Sequence, residues 1–98
     1  MKRLAFLSLF LIIFAHPTFA QSKPKKVVVC QGCHGPTGVS PSPTYPNLAG
    51  QHAAYLAKQL KDFRSGARTD QTMNAISGKM TDAEIDELAK YYEALGKK

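Results

Sequence analysis

The residues best suited to chemistry lie in one short stretch, Cys30-Gln31-Gly32-Cys33-His34. These are the only two cysteines of the 98-residue chain, and a histidine directly follows the second. A CxxC pair followed by His is typical of c-type haem attachment, in which both thiols form thioethers with the porphyrin and the histidine binds iron. One turn of helix places all three side chains on the same side of the haem. The motif predicts one covalent haem c per chain, attached through Cys30 and Cys33, with His34 as the proximal iron ligand.

Three other uses of a CxxC pair need features that this sequence lacks. A disulfide between cysteines three positions apart closes a loop too small to constrain a fold. A thioredoxin-like dithiol belongs to a βαβ context, and no strand pattern flanks this motif. A zinc site needs further ligands, and apart from His34 the only histidine after residue 20 is His52. The sequence therefore favours haem attachment.

The first twenty residues have the three parts of a secretory signal peptide. Lys2 and Arg3 precede an apolar run over residues 4–15, and the segment ends in a small residue, Ala20. Such a run is shorter than the ~20 apolar residues that a transmembrane helix needs. We expect residues 1–20 to be cleaved and residues 21–98 to form one cytochrome c domain in the periplasm, without a stable membrane anchor.

The mature chain of 78 residues is long enough for one small domain and too short for a large enzyme scaffold. A domain of this size usually needs an additional stabilising group such as a metal or a cofactor. A covalent haem would supply that stabilisation, so we expect the chain to be largely unfolded without it. Loss of Lys2 and Arg3 lowers the net charge from +6 to +4. This basic surface has no clustered stripe, and we expect no nucleic acid partner.

The elements that must position the motif are short helices around one long loop. We expect a short helix over residues 25–34, because haem ligation needs that turn. Residues 35–50 contain four prolines and three glycines, which predict an irregular loop. That loop is expected to wrap the haem and to offer a backbone carbonyl near Pro46 to the His34 ring. Residues 51–65 predict a helix that stops at Gly66, with one face formed by His52, Tyr55, Leu56, Gln59, Leu60 and Phe63.

The last helix is predicted to begin at a capping box of Thr81 and Glu84 and to end at Gly96. Met80 lies just before the cap, at the position that packs as a hydrophobic staple. The segment before it, residues 68–78, is expected to be a connector, and it contains Met73. The buried stripe of the last helix is predicted to be Ile85, Leu88, Ala89, Tyr92 and Leu95.

Beyond the motif, the sequence resembles a known family. The stretches CQGCHG, YPNLAGQHAAYLAKQLKDFRSGART and TDAEIDELAKYYEALG resemble the small monohaem class I cytochromes c of bacteria, of the cytochrome c4 and c-553 type. The resemblance covers residues 29–96. It implies an all-α cytochrome c fold, with three to four short helices wrapped around one covalently bound haem. Only residues 21–29 precede the motif, where this family usually has a longer N-terminal helix.

The resemblance also implies the distal iron ligand. In this family a methionine before the last helix is the second axial ligand. The family pattern places it seven residues before the apolar residue that precedes the cap, and in this sequence that position is Met73. Met80 already has a structural explanation in the staple, and His52 stays open as another sixth ligand. Ligation by histidine and methionine raises the reduction potential relative to two histidines. It also leaves no vacant iron site for a substrate.

The family-like segment contains three polar residues, Gln51, Tyr55 and Arg68, that we expect to be candidates for hydrogen bonds to the haem propionates. The resemblance implies a soluble electron carrier, not an enzyme, that exchanges electrons with redox partner proteins such as a membrane-bound oxidase or reductase. Two alternatives stay open: a haem subunit that acts only within a larger oxidoreductase complex, and a haem protein with an open sixth site.

Overall fold

The computed structural model describes Ser8, Leu11, Ile12 and residues 22–96 of the chain. Apart from those three positions, the predicted signal peptide and its cleavage site after Ala20 lie outside the described residues. The structure confirms the all-α prediction, because these residues form helices and no strands. Among them, no helix is both long and apolar enough to cross a membrane. The helices are α1 (Val27–His34), α2 (Ala53–Ser65), α3 (Gln71–Ser77) and α4 (Asp82–Leu95).

Helix α1 carries the cysteine motif and is attached to the start of α4. No side chain caps its N-terminus, but the Val27 N–H donates to the Pro24 carbonyl at 3.1 Å. The Val27 side chain is buried in the core. Just before the helix, Lys26 Nζ donates to the Lys79 carbonyl at 2.9 Å and pairs with the Glu84 carboxylate at 2.8 Å. These contacts fix the motif-bearing helix relative to α4.

Helix α2 begins two residues after the predicted start and ends where predicted. His52 occupies the N-cap position without a side-chain cap bond. Instead, the Ala53 N–H donates to the Glu93 carboxylate of α4 at 2.6 Å. Gly66 follows the helix with a φ of 85°, a left-handed conformation that glycine adopts without strain. Helix α2 packs against both α3 and α4, so it forms the centre of the fold.

The segment between α2 and α4 is not a plain connector. Most of it forms α3, and Asp70 caps that helix by accepting the Met73 N–H at 2.9 Å. The expectation of a connector over residues 68–78 is therefore wrong for residues 71–77. A helix of seven residues is marginal alone, and here its packing against α2 stabilises it.

Helix α4 begins at the predicted capping box and supplies most of the core. Thr81 Oγ1 accepts the Glu84 N–H at 3.2 Å, and Glu84 Oε1 accepts the Thr81 N–H at 3.0 Å. Leu95 was predicted to be buried but is 37% exposed. At this end α4 packs backbone to backbone against Gly50, which leaves the Leu95 side chain at the surface. The core cluster consists of Val27, Leu56, Met80, Ile85, Leu88, Ala89 and Tyr92.

Candidate haem site

A cavity of about 560 Å³ lies between the four helices and the loop that follows α1. This volume is within the range of small-molecule and cofactor sites in proteins. The fold brings the motif of α1 together with residues from just before and within the first turn of α2, from the turn before α3, and from α3 itself. Every site residue predicted from the sequence lines the cavity: Cys30, Cys33, His34, Gln51, Tyr55, Arg68 and Met73.

The His34 ring is held by the loop after α1, as the sequence predicted. Its Nδ1 lies 2.8 Å from the carbonyl oxygen of Pro46, and the residue is buried. Because a carbonyl oxygen only accepts hydrogen bonds, Nδ1 is the donor in this contact, and the lone pair of the neutral ring is on Nε2. The Tyr45 ring packs edge-on, with its centroid 6.3 Å from that of His34. The loop therefore fixes both the tautomer and the orientation of an imidazole that could bind iron through Nε2.

Both cysteines are free thiols and are half-buried at the cavity. Burial raises the pKa of the Cys30 thiol, and the nearby Tyr92 hydroxyl partly offsets that effect. In the described part of the chain, no group of three or more His, Cys, Asp or Glu side chains could hold a metal ion. A zinc site therefore has no ligand set there.

The three candidates for the distal iron ligand lie in different environments. Met73 is half-buried on α3 and lines the cavity. Met80 is only 4% exposed and packs in the core cluster with Ile85, away from the cavity wall. His52 is exposed and does not line the cavity. Of the three, only Met73 is placed where it could meet a group bound in the cavity.

The three propionate candidates are exposed residues of the cavity wall, so water reaches them as well. Arg68 is the most constrained of them. Its Nη1 donates to Gln59 Oε1 at 2.7 Å, and its guanidinium carbon lies 4.6 Å from the centroid of the Phe63 ring. The Arg68 side chain is therefore already oriented by α2, while remaining accessible to an anion.

Two polar features near the site were not predicted from the sequence. The amide of Asn74, next to Met73, makes three side-chain hydrogen bonds: one to the last turn of α2, one to the turn between α2 and α3, and one to the N-cap residue of α3. The Tyr92 hydroxyl is buried and has no hydrogen-bond partner in the described part of the chain. Burial and the adjacent Cys30 thiol raise the pKa of Tyr92. Asp70 at an N-cap position was a readable signal for α3, but no sequence signal reveals the Asn74 bonds or the unpaired hydroxyl.

The residues of the cavity fit a c-type haem. The two thiols and the imidazole of α1 and the thioether of α3 line the same cavity. The rest of its wall includes the apolar residues Leu56, Leu60, Ile76 and Leu88. Such a wall suits the large apolar porphyrin, while the exposed polar residues suit its charged propionates. The Tyr92 side chain forms part of the same wall, with its hydroxyl buried.

Residues 23–91 match the protein family described as cytochrome c oxidase, cbb3-type, subunit III. The chain belongs to this cytochrome c family. Its cofactor is haem c, and its class is that of the electron-transfer haem proteins. The predicted recognition as a cytochrome c of the c4 type is thereby confirmed.

Known relatives of this cytochrome c include cytochrome c4 of Azotobacter vinelandii, which is 45% identical over 71 residues, spanning 67% of this chain and 34% of the relative. The thiosulfate dehydrogenase electron acceptor of Thiomonas intermedia is 36% identical over 93 residues, 94% of this chain and 43% of the relative. The crystal structure of reduced recombinant cytochrome c4 from Pseudomonas stutzeri superimposes with a TM-score of 0.62 at 45% identity, over 65% of this chain and 36% of that chain. The chain thus spans about a third of the length of the cytochromes c4 that it matches.

Proposed function

We propose that this cytochrome c is a periplasmic one-electron carrier with a single haem attached through Cys30 and Cys33, and with His34 and Met73 as the axial ligands. The observation that carries the proposal is the composition of the cavity wall. The motif of α1 and the methionine of α3 line one cavity, while Met80 packs in the core instead.

Haem c, when bound, supplies the one-electron couple between ferric and ferrous iron. The chain contributes ligands, orientation and exclusion of water. The Pro46 carbonyl accepts the Nδ1–H of His34, which makes Nε2 a more basic ligand. A thioether is a soft ligand that favours ferrous iron, so Met73 would raise the reduction potential. If His34 and Met73 both bind the iron, the haem would offer no open position to a substrate, which favours a carrier over an enzyme.

The remaining parts of the proposal concern what surrounds the haem. Arg68, already held by Gln59 and Phe63, is proposed to bind a propionate together with Gln51 and Tyr55. The name of the relative in Thiomonas intermedia, an electron acceptor, supports redox proteins as partners. A membrane-bound oxidase or reductase is the kind of partner that we propose. The signal peptide predicted over residues 1–20 supports export to the periplasm.

Expression together with a cytochrome c maturation system tests the attachment and the export. The periplasmic fraction should contain a protein with the mass of residues 21–98 plus one haem, and its colour should survive acid–organic extraction. The matched control is Cys30→Ala with Cys33→Ala, whose haem should extract freely. Wild-type colour that extracts freely would refute covalent attachment, and a full-length protein retained in the cytoplasm would refute export.

A second candidate function is a haem subunit that works only within a larger oxidoreductase complex. The matched family, described as a subunit of an oxidase, favours it. Native purification from the source cells distinguishes the two functions. A free carrier elutes at the size of a small single domain, whereas an obligate subunit co-elutes in stoichiometric amounts with other chains of an oxidoreductase.

A further inference from the structure

The residue after the proposed distal ligand makes an unusually complete set of hydrogen bonds. Asn74 Nδ2 donates to the Phe63 carbonyl at 2.7 Å and to the Arg68 carbonyl at 2.9 Å. Asn74 Oδ1 accepts the Asp70 N–H at 2.8 Å. The partners fix the orientation of the amide, because carbonyls only accept and a backbone N–H only donates. Both donor hydrogens and the acceptor of the half-buried Asn74 side chain are therefore used.

Two of these bonds satisfy groups that helix geometry leaves unpaired, and the third satisfies the Arg68 carbonyl of the turn between α2 and α3. Phe63 lies in the last turn of α2, where carbonyls have no partner within the helix. Asp70 is the N-cap of α3, and its own side chain accepts the Met73 N–H at 2.9 Å. The Asn74 N–H also donates to the Asp70 carbonyl at 2.8 Å, so Asn74 and Asp70 exchange bonds across the first turn of α3. At the same time the Asn74 amide bonds to the end of α2.

The placement of Met73 depends on this arrangement. Helix α3 has only seven residues, too few to be stable without outside contacts. Asn74 bonds α3 to the last turn of α2 and to the turn that joins them, and the Met73 side chain leaves the backbone one residue earlier. Loss of the Asn74 amide would leave two carbonyls without their donor and free the first turn of α3 to move relative to α2.

We propose that Asn74 is a positioning residue that holds the Met73 thioether at the iron, so that the strength of the distal ligation depends on its side-chain amide. This inference rests on the proposed ligation by Met73. Asn74 does not itself line the cavity, so its effect on the haem is expected to be transmitted through the backbone of α3.

Competition by added imidazole measures the effect. Imidazole binds ferric iron only after the iron–sulfur bond opens, so its apparent affinity reports how firmly Met73 is held. In the holoprotein, Asn74→Ala should bind imidazole about tenfold more tightly than the wild type or more, and its sulfur-to-iron charge-transfer band should weaken. Asn74→Asp keeps the size and one acceptor oxygen but directs a second oxygen at the two carbonyls, so it should be affected at least as strongly.

Thr81→Ala is the matched control. It removes the cap of α4 and so destabilises the domain without touching α3. Its imidazole affinity should stay within about twofold of the wild type, because this variant keeps the hydrogen bonds of Asn74 whose loss is expected to produce the effect in Asn74→Ala. An equal rise in Thr81→Ala would show that general destabilisation suffices, and it would overturn the inference.

A measurement on the wild type covers the case in which the Asn74 variants do not fold. The Asp70 backbone amide should be protected from hydrogen exchange in the holoprotein, because Asn74 Oδ1 accepts its proton. An unprotected Asp70 amide overturns the inference.

The spectra of the variants distinguish a failure of the proposed Met73 ligation from a failure of the role of Asn74. A charge-transfer band that is absent from the wild type, or present in Met73→Ala, refutes the proposed ligation. A band lost in Met73→Ala but complete in Asn74→Ala, with unchanged imidazole affinity, overturns the role of Asn74 alone.

Discussion

Exchanging each of the two methionines for alanine separates core packing from iron ligation. Met80 is 4% exposed and lies in a cluster with Ile85, which is completely buried, and with Leu88 at 2% exposure. Met73 is half-buried on α3 and lines the cavity. The structure therefore predicts opposite phenotypes for the two variants, one in stability and one in the haem spectrum.

The expected loss in Met80→Ala follows from its burial. Truncation removes the side chain beyond Cβ from a packed core and leaves a space that the neighbours fill only in part. Such substitutions cost about 2–4 kcal/mol of unfolding free energy. In a domain of this size, each kcal/mol corresponds to about 4–8 °C in Tm, so thermal unfolding of the holoprotein should begin well below that of the wild type. The ferric charge-transfer band should remain complete at temperatures where the variant is folded.

Met73→Ala should show the reverse pattern. Its ferric haem should lose the sulfur-to-iron band and become high-spin or water-ligated, and its reduction potential should fall because the soft ligand is gone. Thermal unfolding followed by circular dichroism, beside optical spectra of both oxidation states, measures the two effects. A variant of Met80 that loses the band would refute both the ligand assignment and the assignment of Met80 to the core. Low-spin spectra in both variants would make His52 the next candidate for the distal iron ligand.

Three further outcomes are expected. Protein made without haem maturation should show little helix by circular dichroism, because the cavity walls then have nothing to pack on; a cooperatively unfolding helical apo-protein would contradict this. In Gly96→Ala, the new Cβ would lie 2.1 Å from Gly50 Cα, so thermal melts should show a loss of about 1–3 kcal/mol, as for an overpacked site, whereas the exposed neighbour Ala94→Ser should stay close to the wild type. The ion pair with Lys26 lowers the pKa of Glu84 from its ordinary 4.5, so the charged form stabilises the fold above that pH. The stability advantage of the wild type over Glu84→Gln should therefore shrink in urea titrations as the pH falls below about 4.5, and a pH-independent difference would rule out this pair as its source.

Local sequence patterns predicted those parts of the fold that depend on nearby residues. The capping box of Thr81 and Glu84, the stop at Gly66 and the irregular loop after α1 all follow from rules that act over a few positions. The contact between His34 and Pro46 was also predictable, because a metal-bound imidazole needs an acceptor and the loop had no other task. These features are present in the structure as expected.

Features that depend on tertiary contacts escaped prediction. Helix α3 is too short to show a hydrophobic period, and it is stabilised by its packing on α2 and by the Asn74 amide. The carboxylate of Glu93 at the start of α2 comes from a helix forty positions away, and no local pattern indicates it. Leu95 fits the stripe of α4 by spacing, but this end of α4 contacts Gly50 through its backbone, and the Leu95 side chain stays at the surface. The seven site residues were predicted from the CxxCH motif and the family resemblance rather than from periodicity, and all seven line one cavity.

The proposed ligation by His34 and Met73 and the proposed electron transfer both depend on the state of the haem iron. A potentiometric titration of the purified holoprotein, followed by optical absorption, tests both most directly. We expect one reversible one-electron transition, low-spin spectra in both oxidation states, a sulfur-to-iron charge-transfer band in the ferric form, and no rapid binding of carbon monoxide by the ferrous form. A high-spin ferrous spectrum with rapid carbon monoxide binding would reveal an open sixth site and contradict the account.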